Sequence, residues 1–170
     1  MIQGIVLVIG ILMVDVSAAR EVFVGKVSFV SDGDTLWVRP EAGGPPRKLR
    51  IDGIDAPEIC QAGGADSRDA LAAYVMNHRV EVTVRRYDDY GRGLARLVLE
   101  KRDLGAHLVS SGQAWSYRWG SSQGPYAYEE VLARQARLGL FARHRPELPR
   151  DFRKRHGSCH SPTALNQHEK

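Results

Sequence analysis

The sequence predicts an α+β fold in which five strands close a small barrel and helices are inserted or appended. Three observations carry this. Segments alternating apolar and polar residues at period two recur between Gly-, Pro- and Asp-rich breaks. Helical segments follow the strands instead of alternating with each of them, and no internal repeat is present. With 170 residues, 43% hydrophobic and 26% charged, the chain has the size and composition of one globular domain, not of a disordered segment.

The first strand is EVFVGKVSFV, from Glu21. It breaks at DGD and resumes as TLWV. PEAGGPP (Pro40 to Pro46) is a turn, and RKLRIDGI is the third strand. DAPEICQAGG reads as a loop by its Pro and Gly content. ADSRDALAAYVMNH reads as a helix capped by Asp66 or Ser67, with Leu71, Tyr74 and Val75 on one face. VEVTVRR and GLARLVLE are the last two strands, joined by YDDYGR. DLGAHLVSSG is a short helix ended by Gly112. YEEVLARQARLGLF is the last helix, with Tyr128, Val131, Leu132 and Leu138 as its apolar face and Gly139 near its end. Five strands with a capping helix between them fit the OB-fold, the commonest such barrel; a β-sandwich leaves too many helices unplaced.

The ends of the chain have a different character. Ile2 to Val14 is an almost unbroken apolar run, short for a membrane span, followed by the small residues VSAA. This predicts a signal peptide over 1–19 and a secreted or periplasmic product without stable membrane association after cleavage. The competing readings are an uncleaved anchor and a buried strand. The folded barrel domain would cover 20–145. Residues 146–170, with Pro, His and the charge run RDFRKRH, read as a basic, solvated tail. His156, Cys159 and His160 fit no zinc spacing. The two cysteines, Cys60 and Cys159, are equally compatible with a bridge and with two free thiols. The net charge of +4 and pI of about 9.3 favour an anionic partner only mildly. Arginine supplies 19 of the 24 basic residues, and its planar fork suits phosphate.

Three segments concentrate charge where strands meet turns. DGDT holds Asp32 and Asp34. LRIDGIDAPE holds Arg50, Asp52, Asp55 and Glu58. DDYGRG holds Asp88, Asp89, Tyr90 and Arg92. Each alone is more often a turn. Together they place acids and arginines in one small barrel, which suits phosphodiester hydrolysis. A hard cation needs carboxylate and carbonyl oxygens, guanidiniums grip the phosphate, and one further carboxylate takes a proton from water. Asp34 and Asp55 fill the metal places, Glu58 the base, and Arg50 and Arg92 the clamps. For Arg50 and Asp55 to converge, the strand must break near Gly53, because residues five apart on a regular strand face opposite sides.

DGDT, Arg50 five residues before Asp55, Glu58 three after it, and YGRGLA together resemble the staphylococcal-nuclease (thermonuclease) family, over about Glu21 to Phe141. The resemblance implies an OB-type barrel with three helices and calcium-dependent cleavage of DNA and RNA, leaving 3′-phosphates. It implies Ca2+ ligands at Asp34, Asp55 and the Ala56 backbone carbonyl, with Asp32 beside the metal through water. It implies Glu58 as general base, Arg50 and Arg92 as phosphate-binding arginines, and Tyr90 beside a phosphate. The aromatic stretch AWSYRWG departs from the family pattern; Trp115 and Tyr117 are the expected substrate contacts there. The expected protein is a monomer favouring single-stranded DNA and RNA. The alternative is a catalytically silent nucleic-acid-binding OB-fold module, for which the intact carboxylates have no use.

Overall fold

The computed structural model describes residues 20–157 and Cys159. The expected signal peptide lies outside the described residues, as does His160. The strands are β1 (Glu21–Asp32), β2 (Thr35–Pro40), β3 (Arg47–Ile51), β4 (Ile54–Asp55), β5 (Arg79–Tyr87), β6 (Gly93–Leu99), β7 (Arg102–Asp103) and β8 (Trp115–Ser116). The helices are α1 (Gly64–Val75), α2 (Leu104–Ser110), α3 (Ala127–Gln135) and α4 (Pro149–His156), with a 3-10 turn at Gly139–Ala142.

The main sheet runs β3-β2-β1-β5-β6-β7, and β3 also pairs with β6. That extra pairing is parallel, Leu49 to Gly93 and Ile51 to Ala95, and it closes five strands into a barrel. Closure matters for function, because it sets the strand bearing Arg50 beside the strand that follows Arg92. Alternation holds inside the barrel: Val27, Leu36, Val38, Leu49, Ile51, Val82, Ala95 and Leu97 are fully buried. Helix α1 covers one opening with Leu71 and Val75, and α2 contributes Leu104 and Leu108. A second, smaller core gathers Trp115, Ala133, Leu140 and Phe141 under α3, with Leu148 against it.

Four expectations are corrected here. Helix α1 has no side-chain cap from Asp66 or Ser67; it begins after Gly63 at positive φ, and Ser67 is buried, donating to the Gln113 carbonyl at 2.5 Å. Helix α3 ends at Gln135, with Arg137 left-handed at φ 54°, so the segment to Phe141 is not one helix. The expected apolar face, Tyr128, Val131, Leu132 and, beyond the helix end, Leu138, is exposed, and the buried residues of the helix are Glu130 and Ala133. Among the described residues the chain carries four α-helices, where three were expected.

The fourth helix lies in the segment read as a tail. Pro149 takes the first helical position, where its missing N–H costs nothing. Asp151 stands in the first turn, and Arg153, Lys154, Arg155 and His156 fill the last. This is the charge order a helix dipole favours, so the run is helical as well as basic. A disulfide joins Cys60 to Cys159 across 99 residues, with Cα atoms 5.8 Å apart, and holds the end of this segment to the loop before α1.

Candidate functional site

The site is built from the β1–β2 turn, the interruption between β3 and β4, and the loop leading to α1. In the first turn Gly33 is required by closeness. A Cβ there would lie 2.2 Å from Ser67 Oγ and 2.8 Å from the Ala56 side chain. The turn is thus pressed against α1 and the β4 exit, and Asp34, which follows, is buried there. Thr35 Oγ1 donates to Asp34 Oδ1 at 2.9 Å, and Arg50 Nη2 lies 2.9 Å from Asp34 Oδ2. The Ala56 amide nitrogen is 3.5 Å from the same Oδ2, and the Asp34 amide donates to Asp32 Oδ1 at 3.3 Å.

The strand does break as the geometry requires. β3 ends at Ile51, Gly53 turns with φ 82°, and β4 resumes at Ile54. A Cβ on Gly53 would also strike the Pro125 ring at 2.6 Å. The turn re-aims the chain so that Arg50 Nη2 reaches Asp55 Oδ1 at 3.1 Å. One guanidinium nitrogen therefore bridges the buried carboxylates of Asp34 and Asp55. Pairing of Asp55 with Trp115 in the short β4–β8 ladder fixes its backbone.

Burial and mutual repulsion set the charges. Burial pushes the Asp32 carboxyl up to about 7, with Asp34 beside it adding to the effect. For Asp34 burial works against ionisation, but Arg50, hydrogen bonds from its neighbours and the more distant Arg92 hold it below the usual carboxylate range. Asp55 is raised, because burial and Asp34 outweigh the attraction of Arg153 and Arg50.

The remaining predicted residues separate into three groups. Glu58 joins the cluster through Arg153, whose Nη1 donates to Glu58 Oε1 at 2.8 Å. Gly64 must be glycine for this loop to close, since a Cβ would sit 1.9 Å from the Glu58 carbonyl. Arg92 stands apart from the carboxylates. Its Nε donates to Asp88 Oδ2 at 2.8 Å, and Asp88 Oδ1 also accepts the Arg92 and Tyr90 amides, which shapes the loop. Tyr90 is 83% exposed, with the Arg92 guanidinium 5.4 Å from its ring. Tyr117 is partly exposed and lies 5.9 Å from the Arg50 guanidinium.

Trp115 is not a substrate contact. It is 2% exposed, edge-on to Phe141 at 5.9 Å in the second core, so neither face is open to a base. Its register on β8 sends it inward while Tyr117 emerges. Trp119, 78% exposed, is the accessible tryptophan of that stretch.

The sequence reading missed Arg153. Its Nη1 and Nη2 lie 3.2 and 3.3 Å from the two oxygens of Asp55, besides the contact with Glu58. The available signal was Pro149 followed by about two uninterrupted turns with basic residues at their end. Which acid it would reach depends on the tertiary path of the chain.

The donor set can be tested against a hard divalent cation. Asp34 and Asp55 converge on one point, and the Ala56 backbone adjoins Asp34. Among the described residues no group of three or more His, Cys, Asp or Glu side chains is gathered to hold a metal. Two carboxylates and a backbone carbonyl leave positions for water and a phosphate oxygen, which suits a cation shared with substrate, not a closed structural cage.

The chain as a whole is similar to known nucleases. The family described as staphylococcal nuclease homologue matches residues 48–143. An uncharacterized endonuclease of Haemophilus influenzae is 32% identical over 138 residues, covering 81% of this chain and 77% of that protein. A micrococcal nuclease of Shigella flexneri is 33% identical over 155 residues, covering 85% and 87%. Protein ParB of Escherichia coli is 35% identical over 129 residues, covering 69% and 72%. By fold, site geometry and these matches, the chain belongs to the staphylococcal nuclease family.

Proposed function

We propose that the protein is a calcium-dependent endonuclease that hydrolyses DNA and RNA with little sequence selectivity and leaves 3′-phosphates. Hydrolysis of nucleic acid is supported by the family and by relatives named as nucleases. A divalent cation is supported by one observation: Arg50 Nη2 bridges the buried carboxylates of Asp34 and Asp55 beside Ala56; calcium in particular, the breadth of substrate and the 3′-phosphate ends rest on the family resemblance. A site that only needed stability would not bury two acids at one point.

Asp34, Asp55 and the Ala56 carbonyl would hold the cation, with Asp32 behind them. When bound, the cation supplies charge stabilisation to the scissile phosphate. Arg50 has donors beyond the one shared by the two aspartates, and these serve the phosphate from one side. Arg92, oriented by Asp88, serves it from the other. Glu58 accepts a proton from the attacking water. Tyr90 and Tyr117 flank the approach, where a partly unpaired strand fits better than a duplex. No covalent intermediate is needed; positioning and electrostatics carry the rate.

The Cys60–Cys159 bridge supports an oxidising compartment, hence a secreted or periplasmic protein. One assay tests the reading: cleavage of single-stranded DNA, duplex DNA and RNA with calcium, with magnesium and with EDTA. Calcium-dependent products ending in 3′-phosphate are expected; cleavage undiminished by EDTA would refute the calcium mechanism. The silent binding module gains some support from Arg153, which neutralises both Asp55 and Glu58. Binding without cleavage in the same assay would select it.

A further inference from the structure

Helix α4 begins beyond the family match, which ends at residue 143, yet it delivers a guanidinium to the centre of the site. Arg153 Nη1 contacts Glu58 Oε1 at 2.8 Å and Asp55 Oδ1 at 3.2 Å, and Nη2 contacts Asp55 Oδ2 at 3.3 Å. Asp55 Oδ1 also faces Arg50 at 3.1 Å. Both oxygens of Asp55 are therefore engaged by guanidinium, and one planar fork ties Asp55 to Glu58.

This placement is built into the fold. Leu148, just before the helix, packs on the second core. Gln61 is buried and links the two segments: its Oε1 accepts the Glu58 amide at 3.2 Å, and its Nε2 donates to the Glu147 carbonyl at 2.7 Å. The disulfide then fixes the far end, with the Cys60 amide 3.2 Å from Cys159 Sγ. The helix is clamped before and after Arg153 onto the loop that carries Glu58. Its other cations point outward: Arg150, Lys154 and Arg155 have side chains 53%, 78% and 62% exposed, against 35% for Arg153.

We propose that Arg153 is a positioning residue of the nuclease site, aiming the Glu58 carboxylate, and that a divalent cation must displace it from Asp55 to bind. The inference rests on the calcium-site reading above. The physical reason is the fork. A guanidinium can hold two acids at a fixed separation, which a point charge cannot. The same contacts make it a competitor for any cation that needs an Asp55 oxygen. Release of Asp55 while Glu58 stays held would leave the base aimed once the metal is in place.

The test is Arg153→Gln and Arg153→Lys in the full chain, with circular dichroism to check folding. Calcium affinity is measured by calorimetry without substrate, and kcat and KM on single-stranded DNA. Arg153→Gln is expected to bind calcium several-fold more tightly, since the competitor is gone. Its kcat should fall about tenfold with KM little changed, since Glu58 is no longer held. Arg153→Lys keeps the charge without the fork and is expected to lie between it and the parent chain in both quantities. If Arg153→Gln does not fold, a depressed kcat in Arg153→Lys still supports the proposal, and a parental kcat overturns it. A folded Arg153→Gln with parental calcium affinity and kcat also overturns it. A parent chain that neither binds calcium nor cleaves would instead defeat the underlying reading.

Discussion

Glu130 on α3 and the Asp34–Asp55 pair are both carboxylates buried against arginine, and they are satisfied differently. Glu130 is 2% exposed and has a full set of donors. The Ser116 amide reaches its Oε2 at 2.9 Å, and Arg118 and Arg134 reach its Oε1 at 2.6 and 2.8 Å. A single acid meets two guanidiniums and an amide, and the result locks α3 to β8. In the site the ratio is reversed. Asp32, Asp34, Asp55 and Glu58 crowd around Arg50 and Arg153, and two of the acids have raised affinity for protons. The first arrangement stabilises the fold. The second stores unfavourable acid–acid repulsion that a cation would relieve.

The contrast can be broken by mutation. The largest effect is expected for Arg92→Ala, which should lose turnover by about a hundredfold, comparable to removing one donor to a developing charge. Its melting temperature should stay near the parent's, since Arg92 pairs with Asp88 at the rim of the barrel; steady-state kinetics and a thermal scan read both. Glu130→Ala should do the opposite. Removing it strands the Ser116 amide and two guanidiniums, at a cost of about 3 kcal/mol in urea unfolding, while the folded fraction keeps its kcat. If activity per folded molecule falls instead, the two regions are not separable.

Asp55→Asn should leave stability unchanged or slightly raised, because burial and Asp34 penalise its charge more than Arg153 and Arg50 favour it, and it should abolish calcium uptake by calorimetry. A less stable Asp55→Asn would mean that Arg50 and Arg153 hold the fold as well as the site. The smallest and most conditional effect concerns pH. The Asp32 carboxyl is raised to about 7 in the folded chain, against about 4 unfolded, so the folded state binds its proton more tightly. The associated stability is complete below pH 4 and is lost as pH rises toward 7. In EDTA the melting temperature of the parent chain should therefore fall relative to Asp32→Asn across that range. A gap between the two that does not change with pH would show that Asp32 does not titrate there.

The charged constellation was legible in the sequence for a physical reason. Asp34, Arg50, Asp55 and Glu58 sit at strand ends and turns, where local chemistry alone fixes the chain direction, and Gly53 announced the break that lets Arg50 meet Asp55. Helix α3 was misread because its apolar residues are exposed and its buried face holds Glu130, an acid that only a tertiary partner makes tolerable. Trp115 was misread because the register of a two-residue strand cannot be judged from alternation.

The sequence by itself determined the five-stranded barrel, the residues at its strand ends and the acid-and-arginine chemistry they carry, because period, turn residues and charge are local properties. Only the tertiary structure decided how that chemistry is completed. Barrel closure through β3 and β6 set the strand bearing Arg50 beside the strand that follows Arg92, Cys60 found Cys159, and a helix from an apparent tail brought Arg153 onto Asp55 and Glu58. Those contacts join residues from 44 to 99 positions apart, and no local preference encodes them; the burial of the two cores does.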